Sequence, residues 1–237
     1  MSRTVAATAD ILRRLRPFRT LPFRAADLVG TRASRLGERR GWDWLVYNPL
    51  TMWSYHRLAL AEAEPVMASI GEVFPRLEGY LDVGAGSGAF AAAARRRGMR
   101  VVALERSRSG RMLAHVQGVD ARPFDLRHAS RPVAGTDLAY CFEVAEHLPP
   151  ELGERLVEFL AAVAPLVVFT AAQPGQGGYG HVNEQPPGYW RELFRSAGMV
   201  PLPDAEGALR AAFAANGVRA PWFFDNLMVL QRVTAAG

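Results

Sequence analysis

The sequence predicts an α/β protein: a doubly wound, mostly parallel sheet of about seven strands behind an N-terminal helical extension. Three observations predict it. From Gly79 onward, short apolar strands alternate with helical segments, a pattern that implies right-handed crossovers and helices on both sheet faces. A glycine-rich turn joins the first of these strands to its helix. The chain has 237 residues, 49% hydrophobic and 22% charged, which suits one well-filled globular core and excludes disordered, collagen-like and disulfide-scaffold classes. The single cysteine, Cys141, excludes an internal bridge, and no apolar run is long enough to span a bilayer. The expectation is a soluble, cytoplasmic protein.

Three regions are expected: an Arg-rich extension over 1–40, a helical cap over 41–78 and the main domain over 79–237. All 28 basic residues are Arg, for a net charge of +5. Residues 1–40 hold ten Arg against Asp10, Asp27 and Glu38, so the excess lies at the front and the remainder is slightly acidic. A nucleic-acid or lipid arm, an organelle transit segment and a solvated helix all have this composition. Pro17 and Pro22 interrupt the run without an aromatic-basic repeat, and the reading adopted is a solvated extension.

Asn48-Pro49 reads as an N-cap followed by a first-turn proline, with a helix to about Ala63 and a second after Pro65. In that second segment Val66, Ile70, Val73, Phe74 and Leu77 share one face, with Pro75 as a stop. Strands follow at Tyr80–Val83, Arg100–Leu104, Val119–Phe124 (weak, ending near Pro123), Asp137–Phe142 and Leu166–Thr170. Helices are expected to Arg97 after the glycines, then over Ser107–Gln117, Glu151–Val163 and Pro187–Ala197. The tail Pro221–Val233 reads as one or two strands around Asp225-Asn226.

Leu81-Asp82-Val83-Gly84-Ala85-Gly86-Ser87-Gly88-Ala89 lets a ligand approach backbone at the positive end of a helix. Gly84, Gly86 and Ala89 also fit a dinucleotide fingerprint, so the loop alone does not discriminate. Its acidic companions do. Asp82 would serve a cationic ligand but not a pyrophosphate. Glu105, ending the second strand, stands where a carboxylate accepts ribose hydroxyls. Asp125, ending the third, can take an adenine amino group. Adenosine plus positive charge describes S-adenosyl-L-methionine rather than NAD.

With these residues the chain resembles the class I S-adenosylmethionine-dependent methyltransferases. Residues 81–88 look like their first motif, and Asp137-Leu138-Ala139-Tyr140-Cys141-Phe142-Glu143-Val144-Ala145-Glu146-His147-Leu148-Pro149 is similar to their fourth-strand motif. The resemblance implies a Rossmann-like fold and a cofactor whose methionine end meets Asp82, Gly84, Ala85, Gly86 and Gly88. It also implies ribose on Glu105, adenine near Asp125, and Phe142-Glu143 beneath the methyl group.

Glu143, Glu146 and His147 follow the fourth strand, and His181 follows the fifth, so all four belong to one edge of the sheet. Two carboxylates and two imidazoles suit Mg²⁺, Mn²⁺, Fe²⁺ or Zn²⁺. The set resembles the metal-assisted O-methyltransferases, in which a Glu-x-x-Glu-His run and a later His hold the ion. Glu-His-Leu-Pro also occurs in methyltransferases without metal, where it caps a turn, and both readings stay open. His181, His147 and Glu146 are the candidate catalytic groups, with His181 first as base or ligand. It lies in Gly-His-Val-Asn-Glu-Gln, followed by Tyr189-Trp190, which resembles a subgroup of bacterial small-molecule methyltransferases. Asn183, Glu184 and Gln185 serve equally as loop hydrogen-bonding groups, and Tyr189 and Trp190 as core. Trp42, Trp44, Trp53 and Tyr55 suit either an aromatic lid or helix packing, and His56 lies in the roof over the crevice. His115 and His128 read as surface residues.

The resulting expectation is methyl transfer to a hydroxyl, or alternatively an amine, of a small metabolite. The alternatives are an RNA ribose 2′-O-methyltransferase and a cofactor-binding partner subunit without turnover. Nucleic acid is not the expected partner, and spacing does not encode the oligomeric state.

Overall fold

A computed structural model describes residues 23–40, 42–128, 135–178 and 180–233. Residues 1–22, the first half of the expected Arg-rich extension, lie outside it. The described part begins with α1 (Phe23–Arg40), a short α2 (Asp43–Val46) and the long α3 (Pro49–Val73). β1 (Gly79–Val83), α4 (Ala89–Arg96), β2 (Arg100–Glu105), α5 (Arg108–Val116) and β3 (Arg122–Pro123) follow. After β4 (Leu138–Phe142) come a 3₁₀ turn at Ala145–His147, α6 (Pro150–Val163) and β5 (Leu166–Thr170). The chain then runs through α7 (Pro187–Ser196), β6 (Met199–Pro201), α8 (Pro203–Asn216), α9 (Trp222–Asp225) and β7 (Met228–Arg232).

The seven strands form one sheet in the order β3-β2-β1-β4-β5-β7-β6. β1 to β5 run parallel, and β7 enters antiparallel between β5 and β6. Side-chain alternation divides the core. Tyr80, Leu138, Tyr140, Val168 and Val229 face α3, α4 and α8, whereas Leu81, Ala139, Cys141, Val167, Phe169 and Leu230 face α6 and α7. Strands buried on both faces explain why they read as continuous apolar runs. Strand order reverses between β1 and β4, so the crevice above their C-terminal ends is the natural ligand position.

Asn48 caps α3 as the sequence predicts, its Oδ1 accepting the amides of Leu50 and Thr51 at 3.0 and 3.2 Å. The structure corrects two expectations, adds one helix and resolves the tail. Pro65 does not divide two helices: α3 runs through it, because Ala63, Val66, Met67 and Ile70 all bury against one sheet face. That burial outweighs the roughly 3 kcal/mol an internal proline costs. The third strand shrinks to Arg122–Pro123, since proline cannot donate to a further ladder. Residues 203–216 form α8, opened by Pro203 at its first turn and stopped by Gly217 at φ 80°. The tail supplies one strand, β7, preceded by α9 rather than a second strand.

Candidate active site

The turn after β1 is held open by backbone conformation. Gly84, Gly86 and Gly88 have φ of 79°, 53° and 73°, a region that penalises any side chain. A Cβ at Gly84 would come within 2.4 Å of Val144, and one at Gly88 within 2.8 Å of Ala114. At Gly86 the nearest atom would be 3.9 Å away, so space is left on the ligand side. The amides of Gly84 and Ala85 bond Leu104 O, and that of Gly86 donates to Glu105 Oε2 at 2.7 Å. Glu105 Oε1 takes the Ser107 amide at 2.5 Å. Burial raises this carboxyl's pKa, opposed by those two amides. Each oxygen keeps lone-pair capacity for a hydroxyl donor, as the ribose assignment requires.

Asp82 is buried, and its Oδ2 has no hydrogen-bond partner among the described residues. Burial pushes its carboxyl up to about 8 against the pull of the Tyr140 hydroxyl, with Glu105 adding to the rise. An unsatisfied buried oxygen beside a glycine turn is a receptor for a cation or N–H donor. These groups fit the cationic end of S-adenosylmethionine. Asp125 stands apart: Arg127 clasps its carboxylate, with Nη2 at 2.7 Å, and Arg106 approaches to 3.5 Å. The Arg127 guanidinium holds its pKa down to about 2. Phe142 packs its ring against Phe90 and Phe223, at centroid distances of 5.3 and 5.2 Å.

Three of the four metal or base candidates converge. One ligand atom each from Glu146, His147 and His181 lies within 4.8 Å of the others. Val144, packed on Gly84, ties this group to the glycine turn. Glu146 is fully buried, and neither carboxylate oxygen has a hydrogen-bond partner among the described residues. Burial, then the charge of Glu143, pushes its pKa far above the carboxylate range. Its carbonyl accepts the amides of Val182 and Asn183, which fixes the loop after β5 against the turn after β4. His147 stands edge-on to His181 at 4.8 Å between ring centroids, and burial, reinforced by His181, lowers its pKa to about 4.

His181 pairs through Nδ1 with Glu184 Oε1 at 2.8 Å. If Nδ1–H donates, the lone pair resides on Nε2. Gly178 makes room for this ring, since a Cβ there would lie 2.2 Å from Nε2.

Glu143 turns elsewhere. Its φ of 52°, uncommon outside glycine, accompanies a backbone amide held by Thr170. Its carboxylate takes Gln176 Nε2 at 2.6 Å and Asn226 Nδ2 at 3.1 Å.

α3 and the residues before it reach both the glycine turn and the histidine pair. His56 is buried, its Nδ1 2.8 Å from Ser87 Oγ in the glycine turn, and burial lowers its pKa. Tyr55 and Tyr47 bring their rings to 6.3 and 6.1 Å from that of His147. Glu184 does hydrogen-bond its loop, accepting the Gly175 and Gly177 amides, but its pairing with His181, the contact of Ser87 with His56, and Tyr47 and Gly178 were not singled out by motif spacing. For Gly178 and Glu184 the available signal was their place around Gly-His-Val-Asn-Glu. Trp190 is fully buried core, and His115 and His128 are exposed.

A family model described as a methyltransferase domain matches residues 52–218. No curated protein matches the chain. Among solved structures, the mitomycin 7-O-methyltransferase MmcR is 18% identical, with a TM-score of 0.60 over 91% of this chain and 70% of that one. NcsB1, an O-methyltransferase from neocarzinostatin biosynthesis solved with S-adenosylmethionine and 2-hydroxy-5-methyl naphthoic acid, is 17% identical, with a TM-score of 0.58 over 88% and 69%. The sugar N-methyltransferase KedS8 from a Streptoalloteichus species is 17% identical, with a TM-score of 0.53 over 72% and 87%. At these identities the likeness establishes a shared Rossmann-like fold, and the match across most of its length establishes that this chain belongs to the methyltransferase-domain family.

Proposed function

We propose that this protein transfers the methyl group of S-adenosylmethionine to a hydroxyl of a small organic metabolite. The observation that carries the reading is Asp82 Oδ2, a buried carboxylate oxygen below the Gly84–Gly88 turn with no partner among the described residues. The cofactor, when bound, supplies an electrophilic methyl group. Asp82 would receive its cationic end and Glu105 its ribose hydroxyls, while the open side of Gly86 admits close approach. An acceptor hydroxyl must lose its proton as the new C–O bond forms, and the sequestered His181–Glu184 and His147 supply acceptors for it. An amine could attack through its free lone pair and would need no base before attack. That difference favours the hydroxyl, as do the O-methyltransferases among the similar folds.

Glu146 supports a second reading at the same place. Its two oxygens, unpartnered among the described residues, with His147 and His181 alongside, form a donor set that fits Mg²⁺, Mn²⁺, Fe²⁺ or Zn²⁺. Such a cation lowers the pKa of a neighbouring hydroxyl.

The test incubates the full chain with S-adenosylmethionine carrying a deuterated methyl group and paired acceptors differing in one hydroxyl or amine. Labelled O-methyl product, lost with His181→Ala while cofactor binding persists, is expected. Absence of S-adenosylhomocysteine binding, or labelling of amines alone, would overturn the proposal. Chelator treatment separates the two readings: loss of rate restored by one divalent metal supports the cation, and an unchanged rate supports the histidine base.

A further inference from the structure

We infer that the outer face of α1 and the Trp42–Trp44 pair form a docking surface for an anionic lipid membrane. The inner side of α1 is committed to the protein: Ser34 Oγ donates to Val46 O at 2.7 Å, and a Cβ at Gly37 would lie 2.7 Å from Val46 N. By helical spacing, Val29, Arg32, Leu36, Arg39 and Arg40 share the other side. Val29 is 55% and Leu36 44% exposed, and the three arginines are exposed as well. Arg40 carries this face onward, its guanidinium carbon 5.6 Å from the Trp42 ring centroid. Trp42 stacks on Trp44 at 6.1 Å, and Trp44 is 71% exposed.

Exposed aliphatics flanked by arginines and followed by two accessible indoles match an interfacial helix, which inserts apolar groups while its cations meet lipid phosphates. The charge argument singles out the occupant. Residues 1–40 carry ten Arg against three acids, five of those Arg before residue 23. Two copies meeting face to face here would bring arginine against arginine, which disfavours self-association. A nucleic acid would satisfy the arginines but leave Val29 and Leu36 without apolar contact. An anionic bilayer satisfies both sets. Three residues beyond Trp44, Tyr47 brings its ring to His147, so docking through this patch would set the active-site mouth beside the lipid surface.

The test is flotation of the full-length protein with phosphatidylcholine vesicles containing about one third phosphatidylglycerol, against vesicles of phosphatidylcholine alone. Binding to the anionic vesicles, weakened by high salt, is the expected result. Arg32→Gln with Arg39→Gln and Arg40→Gln should weaken it roughly a hundredfold, at about fivefold per arginine. Trp42→Ala with Trp44→Ala should weaken it by roughly tenfold or more while leaving salt dependence in place. Each variant's S-adenosylhomocysteine binding serves as the folding control, and the cofactor result is independent of the vesicle result. Equal partition to both vesicle types would sink the inference. So would the absence of vesicle binding, whether with tight RNA binding or with a dimer that shields Trp44 from a collisional quencher.

Discussion

His181 Nδ1 lies 2.8 Å from Glu184 Oε1, and the same carboxylate accepts the amides of Gly175 and Gly177 at 2.9 and 2.7 Å. One side chain thus shapes the glycine-rich turn and orients the imidazole. Hydrogen bonding to His181, then to Gly175, lowers the Glu184 pKa and keeps it an anion. Glu184→Gln is expected to lower kcat by roughly 10- to 100-fold with little change in cofactor affinity. Gly178→Ala should act in the same direction by displacing the ring of His181. Steady-state kinetics with separate titration of S-adenosylhomocysteine checks both, and a loss confined to cofactor binding would contradict the assignment.

Asp82 makes a prediction with opposite signs in the free and bound protein. Its folded pKa of about 8 lies above the ordinary carboxylate value of 3.8. The group therefore favours the fold below pH 3.8 and destabilises it progressively as pH rises through 8, by an order of a few kcal/mol at pH 7. Asp82→Asn should raise the melting temperature of the ligand-free protein at pH 7 and lower its affinity for S-adenosylmethionine at least tenfold. Calorimetry in buffers of different ionisation enthalpy should also show proton release on binding near pH 7. A variant that is less stable yet binds normally would refute this role.

The His56–Ser87 contact joins the cap to the cofactor turn at 2.8 Å. His56→Phe keeps a ring of similar size and removes the nitrogen, so cofactor affinity should fall by roughly 2- to 10-fold, the worth of one buried hydrogen bond. The His56 pKa lies below 6.5 in the fold because the site is buried. Its stabilising contribution is thus present above pH 6.5 and is lost as pH falls below that value. Unfolding midpoints between pH 7 and 5 should drop more steeply for the native chain than for His56→Phe.

Glu206 tests stability away from the site. It is buried, accepts both Arg191 amino groups at 3.1 Å, approaches Arg210 at 3.5 Å and takes the amide of Val229 at 3.2 Å. Removing it takes both acceptors from Arg191 and leaves the Val229 amide without its partner, while Arg210 keeps the carbonyls of Phe224 and Leu227. Glu206→Ala should cost about 3 kcal/mol and lower the melting temperature by roughly 6–12 °C, measurable by calorimetry. Cofactor affinity of the folded fraction should not change.

The sequence by itself determined the alternation of strand and helix, the cap at Asn48, the glycine turn and its carboxylates Asp82 and Glu105. These are local properties: hydrophobic period, side-chain capping and φ > 0 leave marks within a few residues. It also placed Glu146, His147 and His181 on one sheet edge, because strand ends in a parallel sheet share a side. Tertiary structure alone decided the rest. Pro65 remained inside α3 because residues on both sides of it bury against one sheet face. Glu143 left the cluster because Gln176 and Asn226, distant in sequence, hold its carboxylate. His56 met Ser87, and Trp44 emerged exposed, through packing between segments whose separation in the chain carries no mark of their contact.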